Sequence, residues 1–132
     1  MLTDQKIRQV IHVMRQKFPE ANTTLKADTT FHFLLATILS AQATDKSVNL
    51  TTPALFQRFP GPRDLSAVEP ADVEPYIKRL GLYRNKAKYL VNCSRAIVKD
   101  FNGTVPHTRK ELMSLPGVGG KVADVVLAEC FK

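Results

Sequence analysis

The segment Leu115-Pro116-Gly117-Val118-Gly119-Gly120-Lys121 restricts this chain more than any other. Glycines at 117 and 119, behind a proline and ahead of a lysine, prescribe a tight hairpin that opens directly into a helix. Glycine tolerates φ > 0, and without a Cβ it lets another backbone come close. The amides of such a turn, with the free N–H groups of the next helix, make a surface suited to phosphate. Both flanks read as helix. Upstream, Thr108 and Glu111 have capping-box spacing for a helix over 109–114. Downstream, Val122, Ala123, Val125 and Val126 lead an apolar segment to Phe131. The module over about 108–131 is a helix-hairpin-helix signature, and it points to DNA.

Charge agrees with that direction. Against 12 Asp and Glu stand 19 Lys and Arg, a formal charge of +7, which favours a polyanionic partner. Many soluble proteins are as basic, so the charge gains weight only beside the hairpin. The 132 residues suffice for one domain with a real core, and 44% hydrophobic with 23% charged residues is a globular composition. No apolar run approaches a membrane span, and Met1-Leu2-Thr3-Asp4 lacks a signal-peptide core, so the expected compartment is the cytoplasm. Cys93 and Cys130 are too few for a disulfide framework or a four-thiolate metal site, and each reads as a small buried hydrophobe. His12, His32 and His107 show no metal-ligand spacing and read as structural or surface residues.

The remaining pattern is helical, and the fold class is all-α. Residues 4–18 place Ile7, Val10, Ile11, Met14 and Phe18 on one stripe behind an Asp4 cap. The nearly continuous apolar run over 30–41 predicts a buried central helix. Further helices are expected over 45–58, disturbed at Pro53, then near 63–68, 70–79 and 84–101, with Asn102-Gly103 as a stop. Asp45 is expected to cap or end a helix and is given no catalytic role.

Lys121 has two readings on the hairpin alone. As a cation it holds phosphate. As a nucleophile its amine would attack a sugar C1′ and form a Schiff base, the covalent strategy for which enzymes use lysine. A lysine amine ordinarily titrates at pKa ~10.4, so nucleophilic use needs surroundings that favour the neutral form. The helix N-terminus, a basic surface and partial burial on the following apolar helix would all act in that direction.

Other segments narrow the choice. Leu39-Ser40-Ala41-Gln42-Ala43-Thr44-Asp45 and Ile77-Lys78-Arg79-Leu80-Gly81-Leu82-Tyr83-Arg84-Asn85-Lys86-Ala87, together with the hairpin, resemble the endonuclease III family of DNA glycosylase/lyases from about residue 25 to 131. The resemblance implies a six-helix barrel over 22–132 and assigns 1–21 to a second, incomplete domain. It makes Lys121 the nucleophile that displaces an oxidised pyrimidine and then supports β-elimination of the 3′ phosphate. It gives Gln42 the space left by an extruded nucleotide and Leu82 the role of an apolar wedge. It leaves Leu115, Pro116, Gly117, Val118, Gly119 and Gly120 to hold the DNA backbone. Read without the resemblance, Gln42 is a polar helix end and Leu82 a turn residue on the core. Lys78, Arg79, Arg84, Lys86 and Lys88 surround the wedge turn and read as a solvated basic face. The implied partner is double-stranded DNA with a damaged base or abasic site, met by a monomer associated with the bacterial nucleoid.

The same resemblance exposes departures. Family members continue past the hairpin helix into a Val-Asp-Thr-His segment, whose aspartate assists the covalent step, and then into four cysteines that bind a 4Fe–4S cluster. The sequence given ends at Lys132, so a cluster is expected only in the full-length family and none in this chain, with no metal ligands. Complete base excision is accordingly expected to be impaired, and a non-catalytic DNA-binding module or an inactive fragment is the competing reading. The stripe over 4–18 would lose its cover and become a liability for self-association. Gly120 stands where a larger, often basic residue is usual, and Asp124 where asparagine is usual. The first should weaken phosphate binding and the second should repel DNA.

Overall fold

The computed structural model describes residues 25–131, so the expected helix over 4–18, its exposed stripe and His12 lie outside the described residues. Seven helices succeed one another among the described residues: α1 (Thr30–Leu39), α2 (Asp45–Arg58), α3 (Pro62–Ser66), α4 (Pro70–Ile77), α5 (Tyr83–Phe101), α6 (Arg109–Met113) and α7 (Gly120–Cys130). No strand occurs among these residues, as an all-α chain requires.

Helix α1 is buried along its whole length, because its ten residues carry no charged face. A helix apolar on all sides needs cover on all sides, and α2, α5 and α7 pack against it. Most of its polar members are satisfied within the fold, while Thr30 Oγ1 is buried without a hydrogen-bond partner among the described residues. Thr29 caps it by accepting the His32 amide at 3.0 Å, and Thr37 Oγ1 donates to the Phe33 carbonyl at 2.7 Å. The His32 ring stacks on Phe56 at 4.0 Å and sits 2.8 Å from both Asp28 Oδ1 and the Pro60 carbonyl, the structural role expected of it.

Local chemistry sets the other boundaries. At α2 the cap is Thr44, whose Oγ1 accepts the Ser47 amide at 3.1 Å; Asp45 is the first helical residue and not the cap. The helix continues through Pro53, which faces solvent. Pro62 and Pro70 open α3 and α4 at a position that needs no N–H, while Asp64 and Asp72 accept the Gly61 and Glu69 amides at 2.9 and 3.0 Å. Arg95 then ties the α3–α4 connection to α5, donating to the carbonyls of Ser66 at 3.2 Å and Val68 at 2.8 Å and to Glu69 Oε2 at 3.2 Å. Asn102 and Gly103, both left-handed, stop α5, and the Gly103 amide reaches back to the Ile97 carbonyl at 2.9 Å. Cys93 and Cys130 are buried and form no disulfide, and burial pushes the Cys93 thiol up to about 12.

One residue of the basic group is misplaced by the sequence reading. Lys78, Arg79, Arg84 and Lys88 are exposed, but Lys86 is only 2% exposed, and its Nζ has no hydrogen-bond partner among the described residues. The register of α5 explains this, since Lys86 shares the inward face with Leu90, Cys93 and Ile97. Loss of hydration lowers the Lys86 ammonium below its ordinary value. Lys86→Met is therefore expected to stabilise the fold at neutral pH by ~1–2 kcal/mol, the cost of an unsatisfied buried polar group. Because the folded state binds this proton less tightly than the unfolded chain, the penalty is full below the lowered folded value. It fades as pH rises toward the unfolded lysine range. Thermal melts at pH 7 and pH 10 should show the difference between the two proteins shrinking at the higher pH. A lower melting temperature for the methionine variant would contradict an unpaired ammonium.

Candidate nucleic-acid interface and lysine pocket

The hairpin is held from below by its own apolar residues. Leu115 and Val118 are buried, so their contribution to any ligand is backbone only. The Val118 amide closes the turn on the Leu115 carbonyl at 3.1 Å, and the Ala123 amide closes the first turn of α7 on Gly119 at 3.0 Å. Of the two glycines that define the motif, only Gly117 is left-handed, with φ +83. A Cβ there would stand 2.8 Å from Tyr89 Cβ, so α5 leans directly on the hairpin. Gly119 is the extended N-cap of α7, with open space where a Cβ would be. Pro116 and Gly120 are half-buried and Gly119 is exposed, which leaves the backbone of the tip accessible. The expected capping box on α6 is altered: Thr108 Oγ1 accepts the Glu111 amide at 3.2 Å and donates to Glu111 Oε1 at 3.0 Å.

Lys121 lies on the first turn of α7 and is exposed, where partial burial was expected. It opens onto a cavity of about 450 Å³ lined by Leu25, Thr37, Ser40, Ala41, Gln42, Asp45, Val122 and Val125. The packing of α1 against α7 builds this cavity, by bringing the Leu39–Asp45 loop beside the first turn of α7. Thr37, Ser40 and Val125 were not named as site residues from sequence, although Val125 lies one turn beyond Lys121 and so must share its face. Asp45 brings a carboxylate into the same cavity as the lysine.

Gln42 and Leu82 share a feature that composition does not reveal. Both are exposed and both adopt left-handed backbone, with φ 55 and 59. That conformation is uncommon for residues other than glycine and costs roughly 1–2 kcal/mol. Leu82 is 54% exposed, so it is not the core-packing turn residue of the alternative reading. It does not line the lysine cavity; it stands before α5, about 10 Å along the helix from Tyr89 and the hairpin.

No group of three or more His, Cys, Asp or Glu side chains able to hold a metal occurs among the described residues. The chain's two cysteines are buried on α5 and α7 and do not fit a four-thiolate 4Fe–4S cluster. No helix among the described residues is long and apolar enough to cross a membrane.

Comparison with known proteins meets this geometry at several points. The profile of the HhH-GPD superfamily base excision DNA repair proteins matches residues 35–131. Endonuclease III of Synechocystis sp. is 42% identical over 127 residues, covering 96% of this chain and 58% of that protein. Endonuclease III of Bacillus subtilis is 41% identical over 131 residues, covering 99% and 60%. Among solved structures, a trapped endonuclease III–DNA covalent intermediate superposes with a TM-score of 0.82 at 43% identity, covering 99% of this chain and 62% of that one. A non-covalent endonuclease III–DNA complex gives 0.81 at 43% identity. The chain thus spans about three-fifths of the length of these relatives. With the family profile covering most of the sequence, the hairpin that leads into Lys121 included, the chain belongs to the HhH-GPD superfamily of base excision DNA repair proteins.

Proposed function

We propose that this chain grips duplex DNA through the hairpin and uses Lys121 to attack C1′ of a damaged or abasic nucleotide. At an abasic site the neutral amine adds to the C1′ aldehyde, and loss of water gives a Schiff base. Removal of a C2′ proton then lets the C3′–O bond break and the 3′ phosphate leave. Hydrolysis of the imine returns the lysine. On an intact lesion the same amine displaces the base, and an oxidised pyrimidine is the expected class. The observation that carries this reading is the shared cavity. Lys121 and Gln42, far apart in sequence, line one cavity of about 450 Å³, where an extruded nucleotide would be received.

Gln42 and Leu82 take the opening roles. Unstacking a base costs a few kcal/mol, offset by an apolar wedge and by an amide that can hydrogen-bond the orphaned partner base. Two exposed residues held in left-handed backbone suit that use, because their side chains are spent on nothing inside the fold. A second reading, a DNA-holding module without chemistry, draws on one observation: Lys121 is exposed, as a phosphate-binding cation also would be.

Leu82→Ala tests the wedge. Affinity for a duplex with one abasic site is expected to fall about tenfold, the equivalent of ~1.4 kcal/mol, with intact duplex affected far less. Equal losses on both duplexes would remove Leu82 from base opening.

A further inference from the structure

Gly120 and Asp124, one helical turn apart on the outer face of α7, are joined by a residue from the other side of the hairpin. Arg109, the first residue of α6, donates from Nε to Asp124 Oδ1 at 2.9 Å. Its Nη2 lies 2.7 Å from where a Cβ of Gly120 would stand. The guanidinium therefore occupies the volume that any side chain at 120 would take, beside Lys121. The contact with Asp124 uses one donor; those on Nη1 and Nη2 bond to nothing among the described residues, and the side chain is more than half exposed.

This arrangement gives both departures from the family pattern a different setting. The missing side chain at 120 makes room for a cation, and Asp124 is partnered instead of standing as a free repulsive charge. A lone exposed ion pair contributes little to stability, about 0–1 kcal/mol, so stability is a weak reason for this geometry. A planar fork fixed at one nitrogen, with its other edge open, is well suited to a phosphate oxygen pair.

We propose that Arg109 is a DNA-phosphate contact of this hairpin, positioned over Gly120 by Asp124. The proposal rests on the DNA-binding reading above and adds a residue to it.

The test is the salt dependence of binding to undamaged duplex DNA, for the whole chain and for Arg109→Ala, Arg109→Lys and the double variant Arg109→Ala/Asp124→Asn. One lost phosphate contact reduces the slope of log affinity against log salt by about 0.9. Arg109→Ala is expected to show that reduction with a several-fold weaker affinity, and Arg109→Lys to recover most of the slope. The double variant is expected to stay low, because removing Asp124 does not restore a phosphate contact. Recovery of the native slope in the double variant would show that Arg109 only neutralises Asp124, and would overturn the proposal. An unchanged slope in Arg109→Ala with a lowered melting temperature would overturn it too, leaving a surface pair that holds α6 to α7. Failure of the native chain to bind in a salt-dependent way would instead sink the DNA-binding reading, and the Arg109 contact with it.

Discussion

Lys121→Ala is expected to lower covalent trapping on an abasic-site duplex by on the order of a thousandfold or more, the usual cost of deleting a nucleophile. Affinity for intact duplex should fall only several-fold, since one cation among several is lost. The two readouts separate because the side chain has two possible tasks. The amine opens onto a cavity with Gln42 and Asp45, which is where chemistry would occur. Its exposed position also lets it meet phosphate as a cation on the hairpin surface. Equal, modest losses in trapping and binding would assign Lys121 to phosphate binding alone.

Gly117→Ala is expected to be the most damaging small substitution in the hairpin. Alanine at φ +83 costs roughly 1–2 kcal/mol, and its Cβ would lie 2.8 Å from Tyr89 Cβ and 2.9 Å from Cγ. Those atoms sit next to the α5 backbone and cannot swing away as a side-chain tip can, so the hairpin itself must move. We expect a loss of about 2–4 kcal/mol together with collapse of DNA affinity. Gly119→Ala is the control. Its backbone is extended, at φ −95 and ψ −172, and nothing lies within 4 Å of the new methyl. Its loss of stability should not exceed about 1 kcal/mol, the cost of alanine at a helix N-cap. Melting curves and duplex titrations of both variants check this. Similar melting temperatures would contradict the distinction between the two glycines.

That contrast shows where sequence reasoning stops. The two glycines look equivalent in the motif, and it takes the left-handed backbone at Gly117 and the approach of Tyr89 from α5 to distinguish them. Helix positions were legible where their causes are local: the Thr108 cap, prolines near helix starts, and the Asn102-Gly103 stop; the Thr29 and Thr44 caps were missed. The lysine of the hairpin was legible for the same reason. What it faces was not, since the cavity is assembled from α1, the loop after it and α7. The same limit hid the pairing of Arg109 with Asp124 across the hairpin, and so turned Gly120 and Asp124 into apparent defects. Lys86 is a different case. Its spacing to Leu90, Cys93 and Ile97 placed it on the inward face of α5, but its charge argued for solvent, and packing prevailed.

The most direct test of the account is borohydride trapping of the whole chain on a duplex with one abasic site, followed by peptide mapping of the adduct. Basicity alone would favour Lys86, whose ammonium burial destabilises, but that amine is sealed in the fold. Geometry favours Lys121, which opens onto the cavity. An adduct confined to the peptide carrying Lys121 is the result this structure predicts. An adduct on another amine, or none under conditions where the duplex is bound, would contradict Lys121 as the nucleophile.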